Sequence, residues 1–162
     1  MNTSLQLRPI APQDDARVAA IIRQVMTEFG AVGPEYSISD PEVDHMSQAY
    51  SGPNSAYFVV EDQGEILGCA GVAPLTGADP GICELRKMYL VEASRGRGIG
   101  RALLERCLHS ARELGFHTCY LETLNHMNAA RGLYEKFGFQ KLDGPLGQTG
   151  HPGCNNFYSL SL

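Results

Sequence analysis

The chain has 162 residues, 43% hydrophobic and 19% charged, with a net charge of −5: enough for one domain with a core, and too acidic for non-specific nucleic-acid binding. No apolar run is long enough to span a bilayer. The start, MNTSLQLRPIAP, lacks the basic-then-apolar order of a secretory leader, so a cytoplasmic location is expected.

Residues 5–10 alternate and predict a strand. Pro12 with Asp14 and Asp15 suits a helix start, and Val18, Ile21, Ile22, Val25 and Met26 carry its helical period to about Phe29. Gly30, Gly33 and Pro34 mark a loop over 30–39; Asp40-Pro41 then predicts the N-cap and first residue of a short polar helix, PEVDHMSQAY. AYFVVED and EILGCAGVAPL, joined by Gln63-Gly64, read as a hairpin, and GICELRKMYLV as a third strand of the same meander. Residues 100–114 form an amphipathic helix with Leu103, Leu104, Cys107, Leu108 and Ala111 on one face, closed by Gly115. FHTCYLETL is a strand and NAARGLYEKF a helix ended by Gly138. Two last strands, 139–142 and 156–162, flank the Gly- and Pro-rich DGPLGQTGHPGCN. The order β-α-α-β-β-β-α-β-α-β-β predicts one mixed α/β domain over 1–162, with a strand–helix–strand unit in its second half.

Four of the five cysteines (Cys69, Cys83, Cys107 and Cys119) lie in apolar periodic segments and read as small core residues; Cys154 lies in a loop after His151. No C-x-x-C pair is present, so neither a zinc site nor a disulfide framework is indicated.

The most informative stretch is ELRKMYLVEASRGRGIGRALL, residues 84–104, where a strand runs into a loop holding Arg95, Gly96, Arg97, Gly98, Ile99, Gly100 and Arg101 and then into a helix. Such a loop offers unpaired N–H groups at the positive end of a helix, which suits phosphate, and arginines add paired donors. A Walker loop is excluded because no Gly-Lys-Ser/Thr follows. The dinucleotide fingerprint is excluded because the third glycine falls one residue early and Glu122 lies inside the next strand rather than at its end.

Arg95, Gly98 and Gly100 fit an Arg-x-x-Gly-x-Gly pattern, and here the sequence resembles the GNAT superfamily of acyl-CoA N-acyltransferases. NAARGLYEKFGF extends the likeness through Asn128, Tyr134, Gly138 and Phe139, with Arg131 where the family has alanine. The likeness covers residues 81–139 well. It implies a central, mostly antiparallel mixed sheet of six to seven strands flanked by about four helices. It also implies acetyl-CoA as co-substrate, no metal, and a small-molecule or peptide amine as partner, with a homodimer left open.

By the same resemblance, the loop over Arg95–Arg101 holds the pyrophosphate of coenzyme A, Asn125 or Asn128 bonds the pantetheine arm or the acyl side, and backbone N–H groups of Met88, Tyr89 and Leu90 face the oxyanion. Glu84, on the strand eleven residues ahead of Arg95, is the expected base; the competing reading is a simple pair with Arg86 or another side chain of the sheet. Tyr134 is the expected acid, against a packing role. Tyr36, His151 and Cys154 are candidate acceptor contacts, with a tight loop before an edge strand as the alternative for the last two. Asp40, Asp44 and His45 belong to the region expected to wall the acceptor side, or else to a solvated helix face. A coenzyme A-binding or sensing module without catalysis is the alternative function.

Overall fold

The structure is a computed structural model and describes residues 4–162. Its elements are β1 (Leu5–Pro9), α1 (Asp15–Glu28), α2 (Met46–Ala49), β2 (Ala56–Asp62), β3 (Glu65–Pro74), β4 (Ile82–Leu90), α3 (Ile99–Glu113), β5 (Thr118–Thr123), α4 (Asn128–Lys136), β6 (Gln140–Leu142) and β7 (Asn156–Ser161). The order is the one the periodicities predict. Among the described residues, no helix is long and apolar enough to cross a membrane.

The seven strands form one sheet in the order β1-β2-β3-β4-β5-β7-β6, and only β4 with β5 is parallel. A parallel pair needs a long crossover, and α3 supplies it. Strand β2 is apolar on both faces because the sheet is covered on both. Phe58 and Val60 join Leu103, Leu104, Cys107 and Leu108 of α3 in one core, while Tyr57 and Val59 join Val18, Ile21, Ile22 and Val25 of α1 in the other. Cys69, Cys83, Cys107 and Cys119 are buried, as their patterning implies.

Two irregularities bear on the site. The β3–β4 pairing runs Cys69 to Tyr89 and then Gly71 to Arg86, so β4 carries an extra residue and bulges at Lys87, whose φ is +48°. The buried Tyr57 hydroxyl donates to the Lys87 carbonyl at 2.6 Å and holds that bulge. The second irregularity is at residues 41–50. Instead of one helix there is a 3₁₀ turn, Pro41–His45, before the single turn of α2. Asp40 stands at the N-cap, but its side chain caps nothing; it is turned inward.

The edge where β1 meets α1 is tied by Arg8, which donates to Asp14 at 2.7 and 3.0 Å and to Glu61 at 2.7 Å. The hydrogen bond from Arg8, helped by the Ala11 N–H and opposed by burial, holds the Asp14 carboxyl below its usual range. A depressed carboxylate contributes stability above its unfolded pKa of about 3.9, lost as pH falls through the folded value. Asp14→Asn is therefore expected to destabilise the fold by about 1–3 kcal/mol at pH 7. In thermal melts the gap from wild type should close as the pH drops below about 4.

Candidate active site

Strands β4 and β5 pair at only three positions, Ile82 with Thr118, Cys83 with Cys119 and Glu84 with Tyr120. Past Glu84 they part, β5 continuing along β7 and β4 along β3. The gap is a cleft lined by Glu84–Tyr89 of β4, by Leu121–Thr123 of β5 and by Leu124 just after it. Tyr134 of α4 and His151 and Cys154 of the β6–β7 loop complete its lining.

Beyond the gap, β4 ends at the arginine–glycine loop. Gly96 and Gly98 both have φ of +78°, a conformation a Cβ would strain, and Gly98 is the N-cap of α3. No side chain caps α3 and its first turn holds no acid. The helix therefore begins with bare N–H groups and an unopposed positive dipole end. The arginines are less free than the sequence suggests. Arg95 pairs with Glu28 at 2.5 Å, donates to the Leu90 carbonyl and lies over Phe29; Arg97 pairs with Asp62 and Arg101 with Glu105.

Glu84 is buried, with 5% of its surface exposed. Arg86 Nε donates to its Oε1 at 2.7 Å, so the simple pairing foreseen as the competing reading does occur. Burial raises the Glu84 pKa, the Arg86 charge and hydrogen bond work against it, the nearby Glu122 adds to it, and the net direction is up. Among the described residues, no protein group bonds Glu84 Oε2.

Glu122 lies across the gap and accepts from the hydroxyls of Tyr120 and Thr149. His151 places Nε2 2.9 and 3.0 Å from the two oxygens of Asp40. Lys87, buried at the bulge, reaches the same carboxylate at 2.7 Å. Burial works to raise the Asp40 pKa, but the hydrogen bonds from His151 and Lys87 outweigh it and hold the group below the ordinary carboxylate range. A carboxylate only accepts, so Nε2 carries the proton toward Asp40 and a neutral ring keeps its lone pair on Nδ1. One donor atom each of Glu84, Glu122 and His151 lie within 4.8 Å of one another. Two carboxylates and an imidazole have the donor types for a divalent cation or for an ammonium.

The other sequence candidates separate into those the cleft gathers and those it does not. Tyr134 is buried, its hydroxyl has no protein partner among the described residues, and burial raises its pKa, so the phenol stays protonated. Burial first, then Glu122 and Glu84, push the Cys154 thiol up to about 12. Tyr36 lies in the cleft wall against Gly153, where a Cβ would come within 2.3 Å of its ring.

Just past the end of β4, Val91 N–H donates to the Leu67 carbonyl of β3. Alternation then turns the Tyr89 N–H toward β3 and those of Met88 and Leu90 toward the open edge. Asn125 is engaged elsewhere, since its Oδ1 accepts from buried Asn156; Asn128 opens α4, exposed. Asp44 pairs with Arg23 on the surface and His45 is exposed, so of that expected wall only Asp40 reaches the center.

Glu122 and Lys87 were not foreseen in the cleft. An acid inside the apolar run CYLET, two residues from Tyr120 and on its face, was the available signal for Glu122. Lys87 had none, because an ordinary strand would turn it differently; the bulge redirects it.

A strand edge with bare N–H groups beside a protonated phenol and a buried carboxylate of raised pKa suits acyl transfer. The class is acyltransferase. Residues 19–139 match the family described as "Acetyltransferase (GNAT) family". The N-acetyltransferase YjgM of Escherichia coli (strain K12) is 45% identical over 149 residues, 91% of this chain and 89% of its own. A GNAT acetyltransferase of Staphylococcus aureus Mu50 superposes with a TM-score of 0.80 at 18% identity, over 97% of this chain and 98% of that one. The acetyltransferase yncA of Salmonella typhimurium, solved with its cofactor acetyl-CoA, gives 0.79 at 20% identity, over 98% and 94%. The chain belongs to the GNAT acetyltransferase family.

Arg86→Met removes the cation that opposes burial, so Glu84 should titrate higher than in the wild type. Carboxyl NMR against pH reads the shift; an unmoved Glu84 would mean that Arg86 does not tune it.

Proposed function

We propose that this protein is an N-acetyltransferase that moves the acetyl group of acetyl-CoA directly onto a primary amine in a ternary complex. The observation that carries the reading is the cleft where β4 and β5 part, lined by the buried Glu84 carboxylate and Tyr134, on the strand that leads into the uncapped start of α3. The bare N–H groups around Gly98 and Gly100 fit a pyrophosphate, which needs several donors and no nearby acid. That yncA holds acetyl-CoA on the same fold supports the choice of co-substrate. The backbone over Arg95–Arg101 would hold the pyrophosphate and the gap would take the pantetheine arm, with Asn128 exposed beside its path.

In the reaction, Glu84 takes a proton from the attacking nitrogen. Burial favours this role because it disfavours the charged form of the group. The N–H groups of Met88 and Leu90 stabilise the oxyanion, and Tyr134, held protonated by burial, gives its proton to the departing thiolate. The Cys154 thiol, at about 12, has little thiolate near neutrality, which supports direct transfer over a cysteine-bound acyl group.

The test is acetyl-CoA-dependent release of free thiol across polyamines, amino acids, amino sugars and lysine peptides. Transfer to at least one primary amine is expected. Acetyl-CoA binding without transfer to any of them would leave a coenzyme A sensor as the better description. Glu84→Gln should lower kcat about 10²–10⁴-fold with acetyl-CoA affinity unchanged, and full activity would refute its role as base. Gly98→Asp, which brings a strained φ and a negative charge to the loop, should weaken acetyl-CoA by at least about tenfold in direct titration.

A further inference from the structure

Acetylating an ammonium removes two protons from its nitrogen, and one base on β4 accounts for only one. The first must leave before attack, since an ammonium has no lone pair; the second leaves as the new N–C bond forms. One proton ends on the coenzyme sulfur and the other in solvent.

The cleft holds a second acceptor. Glu84, Glu122 and His151 reach it from β4, from β5 and from the β6–β7 loop, with donor atoms within 4.8 Å of one another. A point central to three atoms no more than 4.8 Å apart lies at most about 2.8 Å from each, within reach of an N–H···O or N–H···N hydrogen bond. Glu84 brings an oxygen with no protein partner among the described residues, on a residue that is 5% exposed. Glu122 keeps lone pairs beyond those used by Tyr120 and Thr149. His151 brings one ring nitrogen to the triangle, and with its Nε2–H committed to Asp40 the lone pair of the neutral ring lies on Nδ1. Three acceptors around one point match the three N–H groups of a primary ammonium.

Building on the acetyltransferase reading above, we propose that this triangle is the amine subsite and that His151 is a catalytic residue that takes the first proton of the bound ammonium. Asp40 is its positioning residue. The two glutamates hold the cation and so oppose its deprotonation, which makes a neutral acceptor beside them necessary. The imidazolium that forms faces Asp40, Glu84 and Glu122, with Lys87 and Arg86 behind them and Cys154 protonated in the same loop. Its proton passes to solvent through the open cleft. Glu84 then takes the second proton during attack and returns it by way of solvent to Tyr134, which has protonated the sulfur. The account balances as ammonium plus thioester giving amide, thiol and one released proton.

Methylammonium is the first probe, titrated into the full chain with histidine ring NMR as the readout and tetramethylammonium, which has no N–H, as the comparison. Methylammonium should move the His151 signals, and Glu122→Gln should weaken that response at least tenfold. An equal response to tetramethylammonium, or none to either, overturns the subsite. The second measurement is the pH profile of kcat/KM with an amine from the panel. Asp40→Asn should move its acid limb to lower pH, because the imidazolium loses a counter-charge, while acetyl-CoA affinity stays unchanged. His151→Gln should lower kcat about 10²-fold or more. An unmoved limb, or a His151→Gln enzyme with wild-type kcat, overturns the catalytic assignment. So does activity that a chelator removes and zinc restores, since a metal would then occupy the triangle. If methylammonium binds as expected and the wild type transfers no acetyl group, the acetyltransferase reading fails and the cation site stands.

Discussion

Three residue pairs hold β4 against β5, and the parting of the two strands beyond Glu84 and Tyr120 is the constraint on which the rest of the molecule depends. A continuous parallel ladder would satisfy every N–H and carbonyl along both edges and leave no room for a ligand. Where the ladder stops, backbone donors of β4 face open space and side chains from three further elements fill the edges of the gap. Each strand keeps a partner on its far side, β3 for β4 and β7 for β5, so the sheet stays whole while its middle is open.

The bulge at Lys87 works with that parting. It places a buried ammonium where Asp40 can meet it, and Asp40 in turn meets His151, 111 residues further along the chain. A buried ion pair is weak evidence for stability by itself, because desolvation offsets most of the attraction. Here it has a geometric result: the Asp40 side chain turns away from capping the 3₁₀ turn at Pro41–His45 and instead holds the imidazole in one tautomer. The local cost falls on the 41–50 segment, and the gain is an oriented ring in the cleft.

Nearly all of the fold was legible in the sequence, because a two-faced sheet writes its periods plainly. Strand β2 reads as unbroken apolar residues and α3 as a clear stripe, and glycines stand where both end or turn. The arginine–glycine loop was legible for the same reason, being contiguous. The cleft was legible only in part. Glu84 and Tyr134 were found through motifs, whereas the Asp40–His151 contact joins two loops with no local signal. The arginines of the 95–101 loop look in sequence like three free cations, but Glu28, Asp62 and Glu105 come from elements whose distance from the loop only the folded chain sets. Lys87 was hidden because a bulge is decided by the register of two strands together.

Strand β7 lies between β5 and β6, although it is made after both. On a ribosome, then, β5 emerges with one edge bare and β6 with no neighbour at all, and both wait for residues 156–161. The loop that carries His151 is drawn taut only when β7 slots in. The nascent chain thus cannot assemble the polar end of its cleft before synthesis has passed β7, and until then the β5 edge is open to strands of other chains.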